Sequence, residues 1–343
     1  MNIRENVPIG ELTTMRLGGM ARYVIEINSA DEIAEAYQFA ADKNLPVFIM
    51  GDGSNVIGRD EGFAGVVLVN GIKGMELDPR NKSEDDDGCS IVTCGSGEKL
   101  DDLVDFAIKN GLTGIEALSA IPGTVGGAVY QNSGAYGQDM SQVLTTITAY
   151  DSKKQQLVTL SNKKLDFSYR SSLFKKVEKN RYFITSVTLR LKTGEIQGEL
   201  YKSLQIYLDE NEIFDRRPAT IRRAVTTIRA NKLPDPVDKP SAGSFFHNVV
   251  LSQKQAKKLQ TEYPDAPIFD MNGQKVVASG WLIEQCGLKG QTLHGIKIHD
   301  QAALILINES AKSYADLAAA RAEIRTAVEA KFGLKLVQEP IEI

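Results

Sequence analysis

Five glycines fall between positions 123 and 137. They lie in the run Ile121-Pro122-Gly123-Thr124-Val125-Gly126-Gly127-Ala128 and in Asn132-Ser133-Gly134-Ala135-Tyr136-Gly137 just after it. Glycine lets a backbone take positive φ and come close to a ligand. Successive exposed N–H groups then form an anion-binding nest. The run reads as a surface for a diphosphate and a flat ring rather than as packed core. A second stretch of this kind, Gly51-Asp52-Gly53-Ser54-Asn55, comes earlier in the chain. Two such loops from separate parts of one chain point to a large, elongated phosphate cofactor.

Two common nucleotide sites do not fit. A Rossmann site needs a strand, then G-x-G-x-x-G, then a helix. The first loop supplies Gly51 and Gly53 but no third glycine in register, and Val56-Ile57-Gly58-Arg59 is a poor helix start. No glycine-rich stretch ends in the Gly-Lys-Ser/Thr of a P-loop. What remains is a dinucleotide lying between two α/β subdomains and held by backbone amides.

The chain has 343 residues, enough for two or three domains. It is 42% hydrophobic and 24% charged, with a net charge of −4. This gives no general attraction to nucleic acid or anionic membrane. No window approaches the ~20 apolar residues of a membrane span, and Met1-Asn2-Ile3-Arg4-Glu5-Asn6 offers no apolar signal segment. Three scattered cysteines (Cys89, Cys94, Cys286) suit a reduced, cytoplasmic protein rather than a disulfide framework. His247, His294 and His299 are the whole histidine complement, and no pair has zinc-motif spacing, so no metal is expected.

Periodicity sets the organisation. Val24-Ile25-Glu26-Ile27 predicts a strand. Ser29 and Glu32 predict a capping box, with Ile33, Ala34, Tyr37 and Ala40 on one helical face. Pro46 to Met50 is a strand entering the first loop, which completes a βαβ unit, and Val66 to Val69 adds another strand. Lys82 to Gly88 is an acidic turn. Leu100, Leu103, Val104 and Ala107 mark a helix closed at Asn110-Gly111 by a left-handed cap. Leu144 to Tyr150 and Tyr182 to Leu189 are antiparallel strands. Pro218 opens a helix with Ile221, Val225 and Ile228 inward and with Arg222, Arg223, Arg229 and Lys232 as its basic residues. Ser313 and Asp316 open another, with Leu317, Ile324 and Val328 inward and Gly333 as its stop.

These motifs resemble, almost end to end and in order, the UDP-N-acetylenolpyruvoylglucosamine reductase family. The resemblance is carried by Thr13-Thr14-Met15-Arg16-Leu17-Gly18-Gly19, both glycine loops, Tyr169-Arg170-Ser171-Ser172-Leu173-Phe174-Lys175 and Lys232-Leu233-Pro234-Asp235-Pro236. It continues through Ala242-Gly243-Ser244-Phe245-Phe246-His247-Asn248, Ala278-Ser279-Gly280-Trp281 and Gln338-Glu339-Pro340. The segment around Tyr201 resembles the long-loop (type I) form.

The resemblance implies an α+β chain with the FAD-binding fold of the vanillyl-alcohol-oxidase (PCMH) class. It implies FAD-binding subdomains at 1–72, with 334–343 returning to the active site, and at 73–213. A substrate-binding domain follows at 214–333. It further implies a monomeric cytoplasmic oxidoreductase of peptidoglycan precursor synthesis, tied to cell shape and division. NADPH is the co-substrate, and UDP-N-acetylglucosamine enolpyruvate is reduced to UDP-N-acetylmuramate. Non-covalent FAD falls to Gly51, Gly53, Ser54, Asn55, Gly123, Thr124, Gly126, Gly127 and Gly137. No histidine precedes His247 to attach it covalently.

In the family's pattern Arg170 grips the substrate carboxylate, since a guanidinium can give two parallel hydrogen bonds. Glu339 serves as a nearby acid and Ser244 as the proton donor. Tyr201, Arg229, Lys232, Asn248 and Gln301 fall where the UDP-sugar is bound. The family often carries lysine where this chain has His247, which replaces a fixed charge with an imidazole. Two other readings remain: a flavin oxidase of the same fold acting on a sugar or alcohol, and a nucleotide-sugar binding module without enzymatic activity. The oxidase would not need Arg170, Ser244 and Glu339 as a set, and the module would bind a UDP-sugar tightly without flavin.

Overall fold

The computed structural model describes residues 1–78, 88–176, 179–271 and 273–343. Most of the acidic turn (82–87) lies outside the described residues. Contacts divide the chain into two units. The first comprises 1–7, 21–52 and 64–231, and the second comprises 8–20, 53–63 and 232–343. Among the described residues no helix is long and apolar enough to cross a membrane.

Among the described residues the first unit contains two large sheets and a two-stranded one, Gly134–Ala135 with Gln138–Asp139. One large sheet has the order Ile3–Pro8, Met20–Ile27, Phe63–Asn70, Val47–Met50, with the last two parallel. The helix Asp31–Asp42 buries Ile33, Ala36 and Ala40 against it. Ala34, expected on that face, is exposed, and Ala36 takes the inward position. The expected capping box is half formed. Glu32 Oε2 accepts the Ser29 N–H at 3.2 Å, but the helix starts one residue later and no side chain caps it.

The other large sheet is antiparallel along its length, in the order Gln156–Ser161, Leu144–Asp151, Tyr182–Thr193, Cys89–Gly95, Met75–Leu77. Leu100, Leu103, Val104 and Ala107 of the helix Leu100–Lys109 are buried in its core, as their spacing predicts. Gly111 closes that helix at φ +70.

Sequence did not foretell the helix Val125–Gln131 inside the glycine run. Two glycines weaken any helix by ~1 kcal/mol each relative to alanine, so outside partners must hold it. Val125 N–H donates to Glu98 O and Gly126 N–H to Ser96 O, both at 2.8 Å. Thr124 Oγ1 accepts the Gly127 N–H at 3.2 Å as the N-cap. Asn132, at φ 51, ends the helix. A third apolar cluster joins Leu204 and Leu208 of the helix Lys202–Glu210 to Ile221, Val225 and Ile228 of Pro218–Lys232.

The second unit is built from three separated segments. Its main sheet has the order Ser241–Ser244, Ile305–Asn308, Ile296–Ile298, Thr292–Leu293. The helix Tyr314–Phe332 lies over it, with the predicted Ser313/Asp316 capping box and Gly333 at φ 64. Ile341–Glu342 pairs in parallel with Val56–Ile57, so the end of the chain is woven into the segment that follows the first glycine loop. Phe245 and Phe246, almost wholly buried and edge to face at 5.1 Å, anchor its core. Burial of such a side chain is worth about 1.5–3 kcal/mol.

Candidate active site

The expected site residues divide between the two units, and each half has its own geometry. In the first unit the loop 119–124 leads into the helix Val125–Gln131. Ala120 stands at φ 57, a conformation that costs a residue with a Cβ about 1–2 kcal/mol. It is held from both sides. Its N–H donates to Asp101 Oδ1 at 2.7 Å, and its carbonyl accepts Arg229 Nη2 at 3.3 Å. Leu100 N–H donates to Gly123 O at 3.0 Å. Asp101 is buried enough to push its carboxyl up. Its hydrogen bonds from Arg222 and Ala120 outweigh that and hold it below the ordinary range.

The amides of Val125, Gly126 and Gly127 are spent on Glu98, Ser96 and Thr124, so the nest read from the glycines is not made by these three groups. Gly126 and Gly51 are glycines for packing reasons. A Cβ on Gly126 would stand 3.1 Å from Ser96, and one on Gly51 would stand 2.3 Å from Thr124 Oγ1. Gly127 and Gly137 differ. A Cβ at Gly127 would meet only Thr124 Oγ1 at 3.4 Å, and one at Gly137 only the Tyr201 side chain at 3.7 Å. These are open faces on which a flat ligand can lie.

One expected result separates the two kinds of glycine. Gly127→Ala should leave the apoprotein at least as stable, since alanine gains up to ~1 kcal/mol in a helix. It should weaken flavin binding about tenfold, the ~1.4 kcal/mol range of a displaced polar contact. Thermal melting of apoprotein and a flavin fluorescence titration check both. Unchanged flavin affinity would remove Gly127 from the cofactor surface.

Tyr136, Tyr201 and Arg229 form a cluster. The two rings meet edge to face at 6.0 Å, and Tyr201 is half exposed as the N-terminal boundary residue of Lys202–Glu210. Burial pushes the Tyr136 hydroxyl above its ordinary pKa, and the neighbouring Arg229 opposes that shift. Burial lowers the Arg229 pKa, yet a guanidinium stays charged. Its Nε is buried with no hydrogen-bond partner. Tyr136 was not singled out from sequence, although it sits in the motif Gly134-Ala135-Tyr136-Gly137. Arg170, at φ 52, donates Nη2 to Gly134 O at 2.8 Å and lies 5.2 Å from the Tyr169 ring centroid. The loop 132–134 thereby aims the guanidinium. Lys232 is exposed at the end of its helix.

In the second unit Gly243, at φ +66, and a register shift let Ser244 emerge exposed at the strand's end, while Phe245 and Phe246 turn inward. The segment 337–339 runs against 245–247. His247 N–H donates to Val337 O at 2.9 Å and Glu339 N–H to Phe245 O at 3.0 Å. This delivers the Glu339 carboxyl, only 9% exposed, to 3.3 Å from His247 Nδ1. Asn248 Oδ1 accepts the Ser279 N–H at 3.2 Å, so it also braces the helix Ser279–Gln285. Gln301 is exposed in the turn between Ile296–Ile298 and Ile305–Asn308. Gly53, at φ +65, presses on the Leu12 and Thr13 backbone. The Thr13 hydroxyl beside it is buried without a partner. The orphaned donor in the second unit fits a hydrogen-bonding group of a cofactor, and the open glycine faces of the first unit, taken by themselves, fit a flat one.

Comparison with known proteins agrees. Residues 21–160 match the family described as FAD binding domain. Residues 235–343 match that described as UDP-N-acetylenolpyruvoylglucosamine reductase, C-terminal domain. The fold and site therefore define an FAD-binding flavoprotein with mixed α and β content. The chain is 35% identical to the UDP-N-acetylenolpyruvoylglucosamine reductase of Ralstonia nicotianae over 338 residues, covering 98% of each. It is 36% identical to that of Pasteurella multocida, covering 95% of this chain and 93% of the relative. The chain belongs to the UDP-N-acetylenolpyruvoylglucosamine reductase family. The crystal structure of UDP-N-acetylenolpyruvylglucosamine reductase (MurB) from Thermus caldophilus shares the fold. Its TM-score is 0.66 at 24% identity, with 99% of both chains covered.

Proposed function

We propose that this chain reduces UDP-N-acetylglucosamine enolpyruvate to UDP-N-acetylmuramate with NADPH, as a cytoplasmic, monomeric enzyme of peptidoglycan precursor synthesis. The observation that carries the reading is the pairing of 337–339 with 245–247. It brings Glu339 alongside the strand end that presents Ser244, with the Glu339 carboxyl 3.3 Å from His247 Nδ1. A hydroxyl donor and a carboxyl on paired backbone segments suit protonation of a carbon centre, a step that oxidation of a sugar or alcohol does not include.

The residues of the two glycine loops would hold FAD, which when bound would supply the hydride. Saturation of the far carbon of the enolpyruvyl double bond leaves negative charge on the near carbon and its carboxylate. Arg170, oriented by the Gly134 carbonyl, meets the carboxylate. Ser244 donates its proton to the near carbon. Glu339, sheltered from water and adjoining His247, stabilises the enolic charge by hydrogen bonding. Arg229, Lys232 and Tyr201 meet the diphosphate, and Asn248 and Gln301 the sugar or uridine. In this reading 1–72 with 334–343 and 73–213 bind the flavin, and 214–333 binds the substrate.

The test is anaerobic. NADPH should bleach the flavin band, and the enolpyruvyl substrate should restore it with release of a saturated lactyl ether. A band that stays bleached until air is admitted would replace the reductase with an oxidase.

A further inference from the structure

Arg222 and Asp101 belong to no part of the reaction just described, yet they pair directly beside the loop 119–124. The pair is two-pronged: Nη1 to Oδ1 at 2.7 Å and Nη2 to Oδ2 at 2.9 Å. Arg222 Nη1 also reaches Ser119 Oγ at 3.2 Å, and the fully buried Ser119 hydroxyl donates to Glu116 O at 2.6 Å. Asp101 Oδ1 accepts the Ala120 N–H as well. One carboxylate thus ties the helix Leu100–Lys109, the start of the glycine loop and the helix Pro218–Lys232.

The connection to chemistry runs through Ala120. Its left-handed backbone is strained and persists only because its surroundings over-determine it. Release from Asp101 would let φ return to negative values and turn the carbonyl away from Arg229 Nη2. Arg229 would lose that acceptor, and with it the orientation of a half-buried guanidinium whose Nε already lacks a partner.

We propose that Asp101 and Arg222 form a positioning clasp that fixes residues 119–123 and, through the Ala120 carbonyl, aims Arg229 at a nucleotide diphosphate. The proposal rests on Arg229 being a phosphate ligand. Neither clasp residue touches the substrate.

The experiment is a double-mutant cycle read by UDP titration of the flavin-loaded protein. Arg222→Met should weaken UDP binding about tenfold, and Arg229→Met at least as much. The double variant should bind no more weakly than Arg229→Met alone, because the clasp acts only through that side chain. Arg222→Lys keeps the charge but not the fork, and should lose about threefold. It serves if the methionine variant does not fold. Arg181→Met breaks a comparable pair to buried Asp151 elsewhere in the same unit. It should lower the melting temperature as much and leave UDP affinity alone. Losses that add in the double variant, an unchanged affinity in both Arg222 variants, or an equal loss in Arg181→Met would each overturn the clasp. No effect from Arg229→Met would overturn the reading of Arg229 together with the clasp.

Discussion

Ser244→Ala is expected to slow return of the flavin band on addition of the enolpyruvyl substrate by about 10²–10⁴-fold, the usual worth of a positioned proton donor. Reduction by NADPH should keep its rate, since that half-reaction moves no proton to the substrate carbon. Ser244 is exposed at a strand end whose neighbours Phe245 and Phe246 are fully packed. Loss of one hydroxyl there leaves no cavity and no orphaned partner, so folding and UDP affinity should hold. Stopped-flow absorbance separates the two half-reactions. Should both slow equally, Ser244 would be shaping the site rather than donating the proton. Ser244→Cys offers a more acidic donor in nearly the same volume and should recover part of the rate.

Gly53→Ala should be the most damaging change in the second unit. An alanine Cβ would lie 1.9 Å from Leu12 O and 2.8 Å from Thr13 Cα, at a φ of +65. The backbone conformation alone costs ~1–2 kcal/mol. The overlap must then be relieved by parting 8–20 from 53–63, for a total of roughly 3 kcal/mol or more. Gly137→Ala is the matched comparison. Its φ is +82, but the nearest atom is 3.7 Å away on Tyr201, so only the conformational cost applies. Urea unfolding of the two apoproteins should show a much lower midpoint for Gly53→Ala. Equal midpoints would mean that the Leu12 carbonyl yields easily and that Gly53 is not a packing requirement.

Much of the architecture was legible because its determinants are local. The Ser313/Asp316 box, Pro218 at a helix start and the spacing of Leu100, Leu103, Val104 and Ala107 all act within a turn or two, and the structure follows them. The helix Val125–Gln131 was hidden because its first amides are satisfied by Ser96 and Glu98, not by anything in its own sequence. The glycines of both loops were ambiguous in sequence. Glycine is equally the residue of ligand approach and of backbone packing. Only the fold shows that Gly51, Gly53 and Gly126 serve packing while Gly127 and Gly137 stay open. Arg222 was visible merely as one basic residue among several on its helix. Its choice of Asp101 is made by the tertiary structure. Glu339 and Arg170 were read through family resemblance, since neither a terminal glutamate nor an arginine after a strand announces chemistry by itself.

The second unit's assembly from 8–20, 53–63 and 232–343 carries a consequence for how the molecule comes into being. Its strand pair Val56–Ile57 with Ile341–Glu342 joins residues made early and late in synthesis. Loop-closure entropy must be met before that contact can reward it, which slows folding. The long stretch 64–231 has its own sheet and cores and can gather while the rest of the chain is still being made. Residues 8–20 and 53–63 can meet each other early, but Met15, Leu17 and Ile57 must wait for the later residues they pack with. A fragment cut at 232 would therefore part Met15, Leu17 and Ile57 from the cluster they pack in, and no single cut in the chain yields the second unit whole.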